Sequence, residues 1–256
     1  MLSTLNNIFI KIFTTKFGFY IAHSLKYILE QQSNNIQIVY NIEPNDETLY
    51  IILFSQKVTI FPKNYIIYQL EQKDISKWID KKYELSILYS KFTIDYSQSN
   101  IDKFPEIIKN KMSYYPIPLV PIEKINVKFN SSTIIPKNNI LFFGSMNEIR
   151  KNKLRYLQKK LGNENKYRIK IINGLYGEKM IEEILNSKII LNIHFYKNAI
   201  LETARINEVL SCNRIVISEF PDNIDVENFN LYKENKNVYF VENIVQMVYL
   251  IKKYII

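Results

Sequence analysis

The chain has 256 residues, enough for one large domain or two small ones, and 47% are hydrophobic, so it can bury a substantial core. Charged residues make up 23%, which excludes a disordered polyampholyte, and a single cysteine, Cys212, excludes an intramolecular disulfide and a thiolate zinc cluster. The net charge of +9 favours an anionic partner, but the lysines are scattered and no dense basic run with interleaved aromatics occurs. A Lys-rich surface from biased composition is therefore preferred to a nucleic-acid patch, and a nucleotide diphosphate would also suit a positive cleft.

In chain order, "IFIKIF" (8–13) reads as a strand and "YIAHSLKYILEQQ" (20–32) as a helix with Ile21, Leu25, Ile28 and Leu29 on one face. "IQIVYNI" (36–42), "LYIILFS" (49–55) and "NYIIYQLE" (64–71) read as strands, rich in β-branched and aromatic residues. A short helix is expected over 75–84 and a strand over "LSILYS" (85–90). The stretch 114–139 holds four prolines among Ser, Thr and Asn, and Pro sustains neither a helix nor a central strand. It contains the expected linker.

Beyond it, "NILFFGS" (139–145) reads as a strand ending at Gly144, followed by a helix that stops at Gly162. A strand over 167–173, a helix over 178–188 and a strand over 189–195 follow. A further helix spans "AILETARINEVLSC" (199–212), then come "RIVIS" (214–218), "NVYFV" (237–241) and a last helix with Ile244, Val248 and Ile251. Alternating strands and helices of this length imply parallel sheets with right-handed crossovers. The expected class is α/β with two Rossmann-like domains: a reduced N-terminal one at 1–120, a Pro-rich linker at 121–138, and a C-terminal one at 139–256.

The stretch "MLSTLNNIFIKIFTTK" lacks the basic start and small-residue cleavage site of a signal peptide, and no apolar run approaches the roughly 18 to 20 residues of a membrane span. A cytoplasmic protein without a transmembrane segment is expected. No Walker loop, no G-x-G-x-x-G after a strand and no G-x-S-x-G elbow occurs. The two histidines, His23 and His194, lie in different halves, which argues against a His-rich metal site; a carboxylate site for a hard cation stays open.

Parallel α/β sheets bind ligands beyond the C-terminal ends of their strands. Four segments there stand out. In "FFGSMNEIRKNKLR", Gly144, Ser145 and Asn147 turn a strand into a helix with Arg150 in its first turn, an arrangement for an anion or an ordinary turn. In "INGLYGEKM", Gly174 and Gly177 bracket Tyr176, allowing close backbone approach and stacking, or a plain turn. His194 follows a buried strand, where it either bonds the backbone or meets a ligand. In "AILETARINEVLSC", Arg205 and Glu208 fall about 60° and 120° from Glu202 around a helix, interleaved with apolar residues. A plain surface helix segregates its charges, so these three pair or meet a ligand.

"SKIILNIHFY…LETARINEVLSCNRIVISE" and "FFGSMNEIRKNKL" resemble the nucleotide-binding half of GT-B glycosyltransferases. The likeness rests on an "R-x-x-E-x-L-x-x-x-x-x-V-I-S-E" segment after an "L-N-x-H" strand end and on a "G-S-x-N-x-R" turn, where Lys151 stands in place of a second Arg. It is strongest over 139–219; the first half contributes only "IYQLEQ" (67–72). The resemblance implies transfer of a sugar from a nucleotide-diphosphate-sugar donor to an unspecified acceptor, without a bound metal or other cofactor. It implies Glu208, then Glu202, on the ribose hydroxyls, Arg205 and Arg150 on the diphosphate, and a helix start near 198–201 aimed at the phosphates. A catalytic base would come from the first half, with His23 and Glu71 as candidates. Asn213 stands where relatives often have Gly. A catalytically degenerate module binding a nucleotide or nucleic acid is the alternative, and an epimerase-like or phosphorylase activity a third.

Overall fold

The computed structural model describes residues 9–44, 47–129, 131, 134–221 and 225–255. Residue 8 of the first expected strand, residues 130, 132 and 133 of the Pro-rich stretch, and the first half of the stretch 1–16, read above as lacking signal-peptide features, lie outside the described residues. The chain divides into two compact units, Met1–Pro118 and Leu119–Ile256.

The first unit is built on a parallel sheet of β1 (Ile10–Phe13), β2 (Ile36–Val39), β3 (Leu49–Ile52), β4 (Tyr65–Gln69), β5 (Phe92–Asp95) and β6 (Met112–Tyr114), in the order β2-β1-β3-β4-β5-β6. Helices α1 (Phe19–Glu30), α2 (Lys81–Tyr89), α3 (Gln98–Ile101) and α4 (Glu106–Lys109) provide the crossovers. Tyr50, Ile52 and Ile67 from the central strands pack with Ile87, Phe104 and Ile108 from the helices. Each of these strands is four or five residues of β-branched and aromatic type, which suits a sheet covered on both faces.

Two expectations fail here. Residues 85–90 form no strand; 85–89 continue α2, which begins at Lys81 rather than at 75 and is capped by Ser90. The Asp80 carboxylate accepts the Tyr83 N–H at 2.8 Å and fixes the helix start, and the helical phase then turns Tyr83, Ser86 and Ile87 inward. A short apolar run such as "LSILYS" fits either element, and the cap decides. The sheet's real fifth and sixth strands, β5 and β6, follow where no strand was expected.

The second unit begins with a short helix, α5 (Ile122–Ile125), inside the Pro-rich stretch. Its parallel sheet has β7 (Asn138–Phe143), β8 (Ile169–Ile172), β9 (Ser187–Asn192), β10 (Ile215–Glu219) and β11 (Val238–Val241), in the order β11-β10-β9-β7-β8. Helices α6 (Glu148–Leu161), α7 (Glu178–Leu185), α8 (Thr203–Ser211), α9 (Val226–Tyr232) and α10 (Ile244–Tyr254) alternate with them. Ile140, Phe142, Ile189, Leu191 and Ile217 pack against Leu154, Leu157, Met247 and Ile251. Gly162 ends α6 at a φ of +90°, as a glycine stop should. Asn213 takes a φ of +52° before β10, a left-handed position that Asn tolerates better than most residues, so the missing Gly leaves the turn intact. Cys212 is fully buried, and burial pushes its thiol up to about 12, which makes it an inert filler.

The helix expected from 199 begins only at Thr203. Asn198 has a φ of +61°, and Ala199, Ile200 and Leu201 are fully buried outside the helix. Glu202 is therefore the residue preceding the first turn, not a member of the helix, and the start near 198–201 is corrected accordingly. Helix α9 was not anticipated.

Candidate functional site

In the second sheet the chain proceeds outward in opposite directions from β7, to β8 on one side and through β9 to β10 and β11 on the other. The crevice between β7 and β9 is its topological switch point, the place where open α/β sheets bind ligands. The residues just past these two strand ends form one cluster.

After β7 the chain turns at Gly144, whose φ is +129°. A Cβ there would stand 2.8 Å from Arg205 Nη2 and 3.3 Å from Arg150 Nη1, so glycine is needed for its backbone and for the two guanidiniums beside it. Ser145 is exposed, and its carbonyl accepts from Arg150 Nη1 at 2.8 Å. Asn147 caps α6 by accepting the Arg150 N–H at 2.9 Å and donates from Nδ2 to the Phe195 carbonyl at 2.6 Å, tying the helix start to the loop after β9.

Arg150 is 2% exposed. Its Nε donates to the Ile193 carbonyl at 2.8 Å and its Nη2 to Glu202 at 3.1 Å, while the guanidinium lies between the rings of Phe142 and Phe195 at 5.4 and 5.1 Å. Burial, with Arg205 nearby, lowers its pKa to about 10, and it stays charged at neutral pH. Each of its three nitrogens donates to protein, so Arg150, expected on the diphosphate, also ties the β7 and β9 loops together.

Glu202, expected as a second ribose ligand, is spent in the same way. It accepts from Arg150, from Arg205 Nη1 at 2.6 Å and from the Phe195 N–H at 3.2 Å. Burial opposes its charge, but Arg205 and Arg150 outweigh that and hold it below the usual carboxylate range.

Arg205 differs. Its Nη1 donates to Asn192 Oδ1 at 2.8 Å, at the very end of β9, and its guanidinium lies 5.5 Å from the Phe143 ring. Nη2 stands beside Gly144 and has no hydrogen-bond partner among the described residues. Two arginines against one glutamate leave one positive charge in the crevice, and Arg205 carries the open donors.

One turn further along α8, Glu208 is half-buried, and its carboxylate has no hydrogen bond or ion pair among the described residues. Burial pushes its pKa up to about 7, with Arg205 opposing. The inner face of α8 carries Thr203, Ile206, Asn207, Val209 and Ser211, and Asn207 accepts from Tyr232 Oη at 2.7 Å.

His194 is 4% exposed. Its backbone N–H donates to Glu219 Oε2 at 2.9 Å, Glu219 also pairs with Lys153, and the ring Nε2 of His194 is buried with no partner. Burial lowers its pKa, so the ring is neutral at pH 7. Thr203 Oγ1 is a second buried polar atom without a partner. Gly174 and Tyr176 follow β8, the edge strand next to β7. Gly174 has a φ of +82° and open space where a Cβ would stand, so the turn requires it and close packing does not. Asn192 and Glu219 fall inside the "L-N-x-H" and "V-I-S-E" segments but drew no role from the sequence, although each closes a buried strand with a polar residue.

The two candidate bases of the first unit lie on different elements. His23 is half-buried in the second turn of α1, with its ring 4.3 Å from Phe19. Glu71 follows β4, two strands from β1. Its Oε1 accepts from Gln56 Nε2 at 2.8 Å and its Oε2 from Ser76 Oγ at 2.6 Å; burial raises its pKa, with Ser76 and Lys57 opposing. Beside it lies a network that sequence reading missed. Asp95, fully buried at the end of β5, accepts from Gln69 Nε2 at 3.0 Å, Asn100 Nδ2 at 2.8 Å and the Ser97 N–H at 2.9 Å. Asn100 also donates to the Glu71 carbonyl at 2.9 Å, and Tyr83 Oη donates to Gln69 at 3.0 Å. The spacing of Asp95, Ser97 and Asn100 in "TIDYSQSN" was the available signal. A satisfied network of this kind rigidifies the strand ends.

Among the described residues no group of three His, Cys, Asp or Glu side chains is placed to hold a metal ion, and no helix is long and apolar enough to cross a membrane.

No protein-family model and no curated protein matches the sequence. Solved structures do match the fold. One is AviGT4, a glycosyltransferase involved in avilamycin A biosynthesis, at 10% identity and a TM-score of 0.52, over 83% of this chain and 79% of that one. Another is an alpha-glucosyltransferase in complex with UDP and a 13-mer DNA containing a HMU base, at 10% identity and a TM-score of 0.56, over 95% of this chain and 89% of that one. The chain has the fold of the GT-B glycosyltransferases.

Proposed function

We propose that the protein is a glycosyltransferase that takes a sugar from a nucleotide-diphosphate-sugar donor. The observation that carries this reading is the pair of open groups on α8: Arg205 with a free Nη2 at the switch point, and Glu208 with an unpartnered carboxylate one turn on. A diphosphate supplies the negative charge that Arg205 lacks, and ribose hydroxyls supply the donors that Glu208 lacks. Arg150 and Glu202 act behind them as positioning residues. Charge that develops on the leaving diphosphate is met by a guanidinium already fixed by Asn192 and Glu202, so little reorganisation is needed at the moment of transfer. The reading calls for no metal.

Incubation with a panel of nucleotide sugars, with mass-spectrometric detection of transfer or slow donor hydrolysis, tests it. Turnover of one donor is the expected result. A folded protein that turns over none of them refutes the enzymatic reading. One observation favours a second reading, donor binding without transfer: both carboxylate oxygens of Glu71 are already engaged, by Gln56 and Ser76. Tight donor binding with no transfer and no hydrolysis would select it.

A further inference from the structure

The ligand edge of the first sheet carries a cavity that nothing above uses. It has a volume of about 230 Å³ and lies between the turn after β3 and the segment leading into α2. Trp78 lines it and is 40% exposed, although a large aromatic ring is normally covered. Two ammonium groups lie over this ring, Lys57 Nζ at 4.5 Å and Lys77 Nζ at 5.2 Å from its centroid. Lys77 and Lys82 line the cavity, and Lys57, which is not part of the wall, reaches it only over the Trp78 ring. The one acidic residue in the lining, Asp80, is committed to capping α2. The lining thus carries more positive than negative charge around a part-exposed aromatic ring.

Gln56 adds a polar demand. Its Nε2 donates to Glu71 at 2.8 Å, which fixes the amide orientation and turns Oε1 away from that carboxylate. Oε1 is buried and has no donor. Gln56 lines the cavity, and a small shift of its side chain would bring this oxygen to a ligand hydroxyl, the kind of donor it lacks.

We propose that this cavity binds an acidic sugar: a ring whose C–H face stacks on Trp78, whose hydroxyl donates to Gln56, and whose carboxylate or phosphate pairs with Lys77 and Lys82 of the wall and with Lys57 at the ring. The volume lies below the usual range for drug-sized ligands, which suits one sugar ring and excludes a base and ribose together. The lysines are exposed, and an incoming anion exchanges their weak contact with the ring for a charge pair. Under the glycosyltransferase reading, on which this step rests, the ligand is the acceptor.

Trp78 is the only tryptophan in the chain, so intrinsic tryptophan fluorescence reports on this cavity alone. The full-length protein is titrated with glucose 6-phosphate, glucuronate, glucose and AMP. The expected result is a saturable change in emission with glucose 6-phosphate, glucuronate or both, at an affinity about tenfold or more above that for glucose. Whichever of the two acts names the anionic group. The double substitution Lys57→Gln, Lys77→Gln should weaken binding about tenfold, and since both side chains are exposed the fold should be unaffected, which circular dichroism checks. The proposal is overturned if no sugar changes the emission, if glucose binds as well as the acidic sugars, if AMP binds best, or if the folded double variant binds like the parent. Calorimetry with UDP and ADP on the same sample separates the two readings. Nucleotide binding without a Trp78 response removes this proposal and leaves the glycosyltransferase reading. Acidic-sugar binding without nucleotide binding sustains the cavity and removes its role as an acceptor site.

Discussion

Replacing Arg150 by Ala separates a positioning role from a ligand-binding one. The side chain is 2% exposed, and its donors serve two carbonyls, Ser145 and Ile193, and the Glu202 carboxylate. Its loss leaves Glu202 with Arg205 as its single cation, strands two carbonyls and opens a gap between the rings of Phe142 and Phe195. Breaking a buried charge pair typically costs about 3–5 kcal/mol, and here the stranded carbonyls push toward the upper end. For a chain of this size that lowers the melting temperature by about 10 °C. Urea melts followed by circular dichroism measure the loss directly, with Lys151→Ala as the control. Lys151 pairs with Glu148 at 2.8 Å, but both side chains are exposed, at 46% and 74%, so its removal should stay within about 0.5 kcal/mol. If Arg150→Ala costs less than about 1 kcal/mol while abolishing nucleotide binding, Arg150 is a ligand contact and the positioning role assigned to it is wrong.

Gly144→Ala should destabilise by about 1–3 kcal/mol, because its φ of +129° is strained for alanine and its Cβ meets both guanidiniums; diphosphate affinity should fall with it, and calorimetry beside a thermal melt reads both. Glu208→Gln should make the protein more stable and a poorer binder. Its folded pKa of about 7 lies above the unfolded value of 4.5, so its cost to stability is absent below about pH 4.5, grows as pH rises, and is complete above about pH 7. At about 1.4 kcal/mol per unit this reaches at most about 3 kcal/mol. The variant should match the parent at pH 4 and exceed it at pH 8, while its nucleotide affinity loses the rise from pH 6 to pH 8 expected of the parent; identical stability–pH curves would show that the carboxylate is well solvated.

The alternation of strands and helices was readable because each central strand is a short run of β-branched and aromatic residues and each long helix has a marked apolar stripe. The errors arose where burial, not periodicity, decides. "LSILYS" is apolar enough for a strand, and only the Asp80 cap shows that it continues a helix. Ala199, Ile200 and Leu201 extend the apolar pattern of α8 backwards in sequence, yet they are a buried connection that starts from a left-handed Asn198.

The site shows the same limit. Gly144, Asn147, Glu202, Arg205 and Glu208 were legible as a group because they follow strand ends. Their division of labour was not. An arginine in the first turn of a helix after a strand reads as a surface cation, and the partners that bury Arg150 lie more than forty residues away, at Ile193 and Glu202. Nor could spacing reveal that Glu202 is consumed by two arginines while Glu208 is left without a partner. The Asp95 network is held by residues from β4, β5, α2 and α3, and no single sequence window contains them.

Calorimetric titration of UDP and ADP, with uridine and adenosine alongside, into the parent protein and Arg205→Ala tests the central claim most directly. One diphosphate should bind the parent. The substitution should weaken that diphosphate about tenfold or more and leave its nucleoside nearly unchanged, since Arg205 serves the charge and Glu208 the ribose. No diphosphate binding by the folded parent, or equal losses for diphosphate and nucleoside, would contradict it.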